Sequence, residues 1–155
     1  MSVSKVKEHL KKFNLDKNII TLDSLSATVN EASSALKIDP DMVAKTLAFL
    51  VCDDAILIVM SGDSKVDNHK YKTYFDKKAK MVPASDVEAL TNHTVGGVCP
   101  FGVPENVKIY FDESLRHYKY VYPACGSINT AIKISIEDLE MVVGNYTWID
   151  VCKKD

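Results

Sequence analysis

"KTLAFLVCDDAILIVMSG", residues 45–62, consists of two apolar runs divided by Asp53 and Asp54. Neither run alternates between apolar and polar positions, as a strand with one solvated face would. The pair therefore reads as a β-hairpin buried on both faces, with the aspartates at its turn. What flanks it decides the fold class.

Upstream, Val3, Val6, Leu10 and Phe13 recur at helical spacing and leave lysines on the outer face. NIITL (18–22) is β-branched and reads as a strand. Thr28, with Glu31 three residues on, forms the capping box of a helix VNEASSALKI, and Asp39-Pro40 opens a helical turn. Downstream come a Tyr/Lys-rich helix, a short strand AKMVP, and a helix ASDVEALTN capped by Ser85 with Glu88 at the box position. A Gly/Pro-rich loop follows. Strand VKIYFD (107–112), a brief helix around ESLRH, strands YKYVYPA and TAIKIS, helix IEDLEMVV and strand TWIDV complete the chain. Short strands and helices mix with no regular βαβ repeat, so the class is α+β with a largely antiparallel or mixed sheet. No repeat or linker divides the 155 residues, which make one domain, 1–155.

With 46% hydrophobic and 26% charged residues the chain is globular rather than disordered. No apolar run approaches the roughly 18–20 residues of a membrane span. The first residues, MSVSKVKEHLKKF, lack the apolar core of a signal peptide, so a cytoplasmic protein is expected. Cys52, Cys99, Cys125 and Cys152 are far apart and show no CxxC spacing, which argues against a disulfide framework or a structural zinc site and for buried, inert thiols. A net charge of −2 excludes an indiscriminate nucleic-acid binder. The charge is uneven, however: KVDNHKYKTYFDKKAK (65–80) holds six lysines against two aspartates. It reads either as a solvated amphipathic helix whose Tyr71, Tyr74 and Phe75 face the core, or as a patch that touches phosphates without reading sequence.

Three features carry chemistry. HTVGGVCPFGVP (93–104) concentrates three glycines and two prolines around Cys99. It is a plain turn, or a site where main-chain N–H groups approach a ligand oxygen, or the seat of a cysteine nucleophile with His93 or His117 as its base. Lys45 opens the buried hairpin. It either snorkels to solvent or stands at a pocket edge as a fixed positive charge for a phosphate or oxyanion. In ACGSIN (124–129), Gly126 and Ser127 break two strands, as a hairpin turn or as a backbone kink beside a pocket. Carboxylate pairs, phosphate-loop and dinucleotide fingerprints and His-rich metal signatures do not occur in the sequence.

Taken in order, VAKTLAFLV (43–51), GDSKVDNHK (62–70), VGGVCPFG (95–102), IYFDESL (109–115) and PACGSINTAIKISIEDL (123–139) resemble the YbaK/prolyl-tRNA synthetase-associated editing domain family, free-standing trans-editing members included. The resemblance runs over nearly the whole chain. It implies a compact mixed, barrel-like β-sheet flanked by helices. It also implies an aminoacyl-tRNA deacylase, cleaving the ester of mischarged tRNA, typically tRNA(Pro) carrying a small non-cognate amino acid.

The roles implied by the resemblance fall on named residues. Lys45 anchors the phosphate of the terminal adenosine. Gly96 and Gly97, with Val98, Cys99 and Pro100, form the loop that wraps the substrate carbonyl with main-chain N–H groups. Ala124, Gly126 and Ser127 join Val98, Cys99 and Pro100 as substrate-binding residues. No metal or cofactor is implied, and a water assisted by the substrate's ribose hydroxyl attacks. Cys99 then merely lines the loop. tRNA is the partner, with prolyl-tRNA synthetase a second candidate, and His69, Lys70 and Lys72 are candidate tRNA contacts from the basic segment. Cysteinyl-tRNA deacylases of the family carry a small polar and an acidic residue where this chain has Ala124 and Ala131, which points toward alanine, serine or threonine instead. The competing reading is a non-catalytic aminoacyl- or nucleotide-binding module of the same fold.

Overall fold

The computed structural model describes residues 2–23 and 28–154. In chain order the elements are α1 (Ser2–Lys11), β1 (Ile19–Thr21), α2 (Val29–Leu36), β2 (Val43–Val51), β3 (Asp54–Ser61), β4 (Ser64–Val66), α3 (Asn68–Phe75) and α4 (Ala84–Thr91). They continue with β5 (Lys108–Asp112), β6 (Tyr120–Pro123), β7 (Thr130–Ile132), β8 (Ile134–Ser135), α5 (Ile136–Val143), β9 (Thr147–Ile149) and β10 (Cys152–Lys154). Short 3₁₀ turns at Pro40–Met42 and Glu113–His117 lie where Asp39-Pro40 and ESLRH suggest them.

The hairpin is the centre of the molecule. β2 and β3 pair antiparallel over their whole length, and every residue of β3 after Asp54 is buried. The turn sits one residue earlier than its aspartates suggest: Val51 pairs with Asp54, leaving Cys52 and Asp53 at the tip with φ of 51° and 70°. Positive φ at both central residues matches the twist of the flanking strands. It also puts Cys52 in solvent, against the expectation of a buried thiol; Cys99, Cys125 and Cys152 are buried.

Six strands in the order β8-β6-β2-β3-β5-β9 form a mixed sheet that curls into a half-barrel. β6 joins β2 in parallel, β5 joins β3 and β9 joins β5 in parallel, and β8 closes on β6 antiparallel. Two ribbons, β1–β7 and β4–β10, complete the β-structure among the described residues.

The two faces of the hairpin feed two cores. Ala44, Ala48, Leu57 and Val59 pack with Val6 and Leu10 of α1, Val87 of α4 and Leu139 and Val142 of α5. His9 fastens α1 by donating from Nε2 to Val142 O at 2.8 Å. On the opposite face Phe49, Ile56, Ile58 and Met60 pack with Tyr71 of α3 and Cys152 of β10. Residues that alternate along one strand thus serve different layers, which is why the runs look apolar throughout.

Several boundaries differ from the sequence reading. The basic segment divides into β4, α3 and an extended strap after Asp76, whose left-handed φ of 59° ends the helix. Tyr71 is buried and Phe75 half-buried, but Tyr74 is exposed. AKMVP makes only a single bridge, Met81 to Phe49. Ser85 lies inside α4, whose cap position is Pro83. TAIKIS breaks at Lys133 into β7 and β8 because the two halves pair with β1 and β6 respectively. The Thr28–Glu31 box is present: Oγ1 of Thr28 accepts from Glu31 N at 3.1 Å, and Glu31 Oε1 accepts from Thr28 N at 3.2 Å.

Candidate active site

Along its outer edge β2 is covered at both ends and open between. β6 pairs with Val43 and Ala44; farther on, Val82 N donates to Ala48 O at 3.0 Å and Leu50 N to Lys80 O at 2.8 Å. Those bonds show that Ala48 and Leu50 direct their main-chain groups outward, and strand alternation aims Thr46 the same way. The gap at 45–47 forms the floor of a cavity of about 280 Å³. α2 makes one wall, Val82 and Val87 another, and Val95, Gly96 and Val98 meet Ala124, Ser127 and Ala131 across the top. The lining is mostly small and apolar, and Lys45 carries the one formal charge among its described residues.

Lys45 is half-buried at the mouth of the strand. Its Nζ donates to the main-chain carbonyls of Gly62, at 3.4 Å, and Ser64. The ammonium is therefore fixed by the turn between β3 and β4 rather than swinging into solvent, and carbonyls hold it without neutralising it.

The 93–102 loop is clamped from beneath. His93 is fully buried, and its Nε2 lies 2.6 Å from Phe101 O, closing the loop on itself. With a carbonyl as the partner, Nε2 carries the proton. Cys99 Sγ is 3.5 Å from the same nitrogen. The sequence therefore does bring a thiol and an imidazole together, but not as a nucleophile and base. Burial raises the Cys99 thiol to about 12 and lowers the His93 pKa. Neither residue lines the cavity. Both charged forms are disfavoured, so thiolate formation is suppressed rather than promoted. Cys125 is likewise pushed up by burial, and His117 lies elsewhere, 3.8 Å from Asp41.

The adjacent glycines differ in purpose. Gly96 borders the cavity with φ of 89°, so the turn itself requires it. Gly97 is buried against the 124–129 segment: a Cβ there would lie 2.5 Å from Ser127 N and 2.6 Å from Gly126 C. Its N–H donates to Thr94 O at 2.9 Å, and its carbonyl accepts from Gly126 N at 3.1 Å. Gly97 thus makes room for a neighbouring backbone rather than for a ligand. ACGSIN serves as both turn and wall. Cys125 N donates to Thr130 O at 3.2 Å across the turn, and the Ser127 hydroxyl donates to Asn129 Oδ1 at 2.8 Å beside the cavity.

Of the residues singled out from sequence, Lys45, Gly96, Val98, Ala124 and Ser127 line one cavity. Gly97, Cys99 and Gly126 form the layer behind it, and Pro100 borders a separate cleft with His9 and Tyr146. His69, Lys70 and Lys72 lie on α3, outside the cavity lining. Lys70 is occupied structurally, at 3.1 Å from Asp150 Oδ1 and 3.0 Å from Cys152 O. Met81, Val95 and Thr130 also line the cavity and were not among the site residues expected from the sequence. The only signal for Met81 was a large apolar residue at the end of the lysine-rich run KKAK (77–80).

The aminoacyl-tRNA editing domain model matches residues 23–142. A Bacillus subtilis protein named YwhH, itself described as uncharacterized, is 38% identical over 99% of this chain and 98% of its own length. The proline–tRNA ligase of Streptococcus mutans is 32% identical over 58% of this chain, a match that spans 15% of the ligase. In fold, the chain resembles a crystal structure described as a candidate trans-editing enzyme for prolyl tRNA synthetase. The TM-score is 0.86 at 24% identity, over 98% of this chain and 97% of the other.

Proposed function

The chain belongs to the aminoacyl-tRNA editing domain family, and we propose that it hydrolyses the aminoacyl ester of tRNA(Pro) mischarged with a small amino acid such as alanine, serine or threonine. The observation that carries the reading is a cavity lined by Lys45, whose ammonium is held by the Gly62 and Ser64 carbonyls, and by Gly96 and Val98 of the glycine loop. An ester of a terminal adenosine has complementary needs: a phosphate that pairs with a cation, and a carbonyl oxygen that gains charge as water attacks.

In this mechanism Lys45 holds the phosphate, and the main-chain N–H groups of Gly96 and Val98 face the carbonyl, the Gly97 N–H being taken by Thr94 O. Each oxyanion donor of this kind is worth about 3–4 kcal/mol of barrier. The cavity's described lining offers no carboxylate, imidazole or thiol. Proton transfer therefore falls to water and the substrate's own ribose hydroxyl. Alanines at 44, 48, 124 and 131 leave room for a small side chain and provide no charge to select a polar one. Methylene-by-methylene discrimination in such a pocket is about 1–3 kcal/mol, so several small residues should be accepted.

The test is hydrolysis of tRNA(Pro) charged separately with alanine, serine, threonine, cysteine and proline, by wild type and Lys45→Ala. Clearance of a small mischarged species, sparing of proline and loss of activity in the variant are expected. Full activity in Lys45→Ala would remove Lys45 from the mechanism. A folded wild type that clears none of the esters would favour a binding module of the same fold.

A further inference from the structure

The basic segment of the sequence is not used by the cavity as described. Its helical part, α3, packs on the core of Phe49 and Tyr71 and ties Lys70 to Asp150. The remainder, the strap at 77–81, runs beside the outer edge of β2 and is fastened there by Leu50 N to Lys80 O and by the Met81–Phe49 bridge. Lys77, Lys78 and Lys80 are exposed, and none pairs with a carboxylate among the described residues. Asp76 precedes the strap, and the next acidic residue in sequence is Asp86. The strap ends at the cavity, whose rim holds two exposed apolar residues: Met81, 54% exposed, and Val95, 60% exposed.

We propose that the strap and rim form the docking surface for the 3′ end of the RNA, with Lys77, Lys78 and Lys80 on backbone phosphates and Met81 and Val95 gripping the terminal base. Two observations support it independently. Three exposed lysines beside a cavity whose described lining holds no acidic residue provide sequence-blind attraction for a polyanion. Exposed apolar side chains on a pocket rim suit the flat face of a base, which stacks without regard to sequence. Lys77, Lys78 and Lys80 then replace His69, Lys70 and Lys72 as the RNA contacts. The identity of the RNA rests on the deacylase reading; the location of the surface does not.

The experiment has two arms. Binding of uncharged tRNA(Pro) is followed by fluorescence anisotropy from 50 to 200 mM salt for wild type, the triple variant Lys77→Glu/Lys78→Glu/Lys80→Glu, and Lys72→Glu. The triple variant should bind at least about tenfold more weakly and flatten the log–log salt slope by about 2–3, while Lys72→Glu keeps the wild-type slope. In the second arm, the alanyl ester of adenosine carries the base without the strand. The triple variant should hydrolyse it with wild-type kcat/KM, and Met81→Ala should raise its KM several-fold with kcat retained. Unchanged tRNA affinity and slope in the triple variant, with circular dichroism showing it folded, would overturn the strap. An equal loss in Lys72→Glu would move the surface back to α3. If wild type cleaves no ester, the deacylase reading fails, while the binding arm still decides the strap.

Discussion

Gly97→Ala isolates one contact on which the loop's position depends. The added Cβ would sit 2.5 Å from Ser127 N and 2.7 Å from Ser127 Cα, about 0.9 Å inside the ordinary contact distance of 3.4 Å. All the atoms it meets are backbone, so no side chain can swing away. The φ of Gly97 is not positive, so alanine brings no intrinsic strain there. The 93–102 loop must therefore lift from the Gly126–Ser127 backbone by close to 1 Å, breaking the Gly126 N to Gly97 O bond at 3.1 Å. Strain of this kind costs about 1–3 kcal/mol of stability. A displacement of about 1 Å in groups that aim at a reacting carbonyl costs about 100-fold in rate. Single-turnover deacylation and thermal melts of Gly97→Ala and Gly144→Ala should separate the two effects. Gly144 has φ of 77° with nothing within 4 Å of an added Cβ, so its alanine should lower the melting temperature and leave the rate alone. A Gly97→Ala protein with wild-type rate would refute the argument, because the loop could then not depend on that contact.

Stability should fall as pH drops through the ordinary histidine range. Burial holds the folded His93 pKa below its unfolded value of 6.5, and the Lys5 charge adds to the effect against the bond to Phe101. The neutral ring's contribution is thus complete above pH 6.5 and is lost as the pH falls from there toward the folded value. Urea melts between pH 5 and 8 should show this slope, and His93→Gln should flatten it; the same slope in that variant would assign it to other groups. At the hairpin tip, Cys52→Asn with Asp53→Gly supplies residues suited to φ of 51° and 70°. It should raise stability by about 1 kcal/mol, or about 3 °C in melting temperature. A destabilised double variant would mean that the tip conformation is not the one required. Thr46 is 9% exposed and its Oγ1 is buried without a hydrogen-bond partner among the described residues. Thr46→Val should therefore stabilise by about 1 kcal/mol in chemical denaturation; an equal loss would reveal a bonding partner in solution.

Much of this was legible because it is local. The Thr28–Glu31 box, the hairpin and the first helix follow from residue spacing, and each is present. Long-range choices were not legible. Nothing within TAIKIS says that Thr130–Ile132 pairs with β1 while Ile134–Ser135 pairs with β6. The strand at Cys152–Lys154 was invisible because its two lysines carry no apolar pattern, and β4 supplies the register that makes it a strand. Asp53-Asp54 looked like the turn because aspartates favour turns, but pairing of Val51 with Asp54 set the tip on a cysteine. At the site, Lys45 and the glycine loop stood out by composition. The distinct task of Gly97 did not, since it depends on a backbone 30 residues away in sequence.

The residues that look catalytic are structural, and some that look structural set the site. His93 and Cys99, 3.5 Å apart, close the loop from below, where burial holds both neutral. Lys45, the charge at the centre of the proposed chemistry, depends in turn on a glycine. A side chain on Gly62 would run into Pro40 O and lie 2.7 Å from Val29 Cγ1. The missing side chain lets the β3–β4 turn settle against the Pro40–Met42 turn and the start of α2. That seating brings the carbonyls of Gly62 and Ser64 to the ammonium. Asp39-Pro40, which in the sequence only opens a helical turn, thereby helps to position the cation of the strand that follows it. A site built from main chain and one pinned charge is thus tuned through the glycines and turns behind it more than through the side chains that face the cavity.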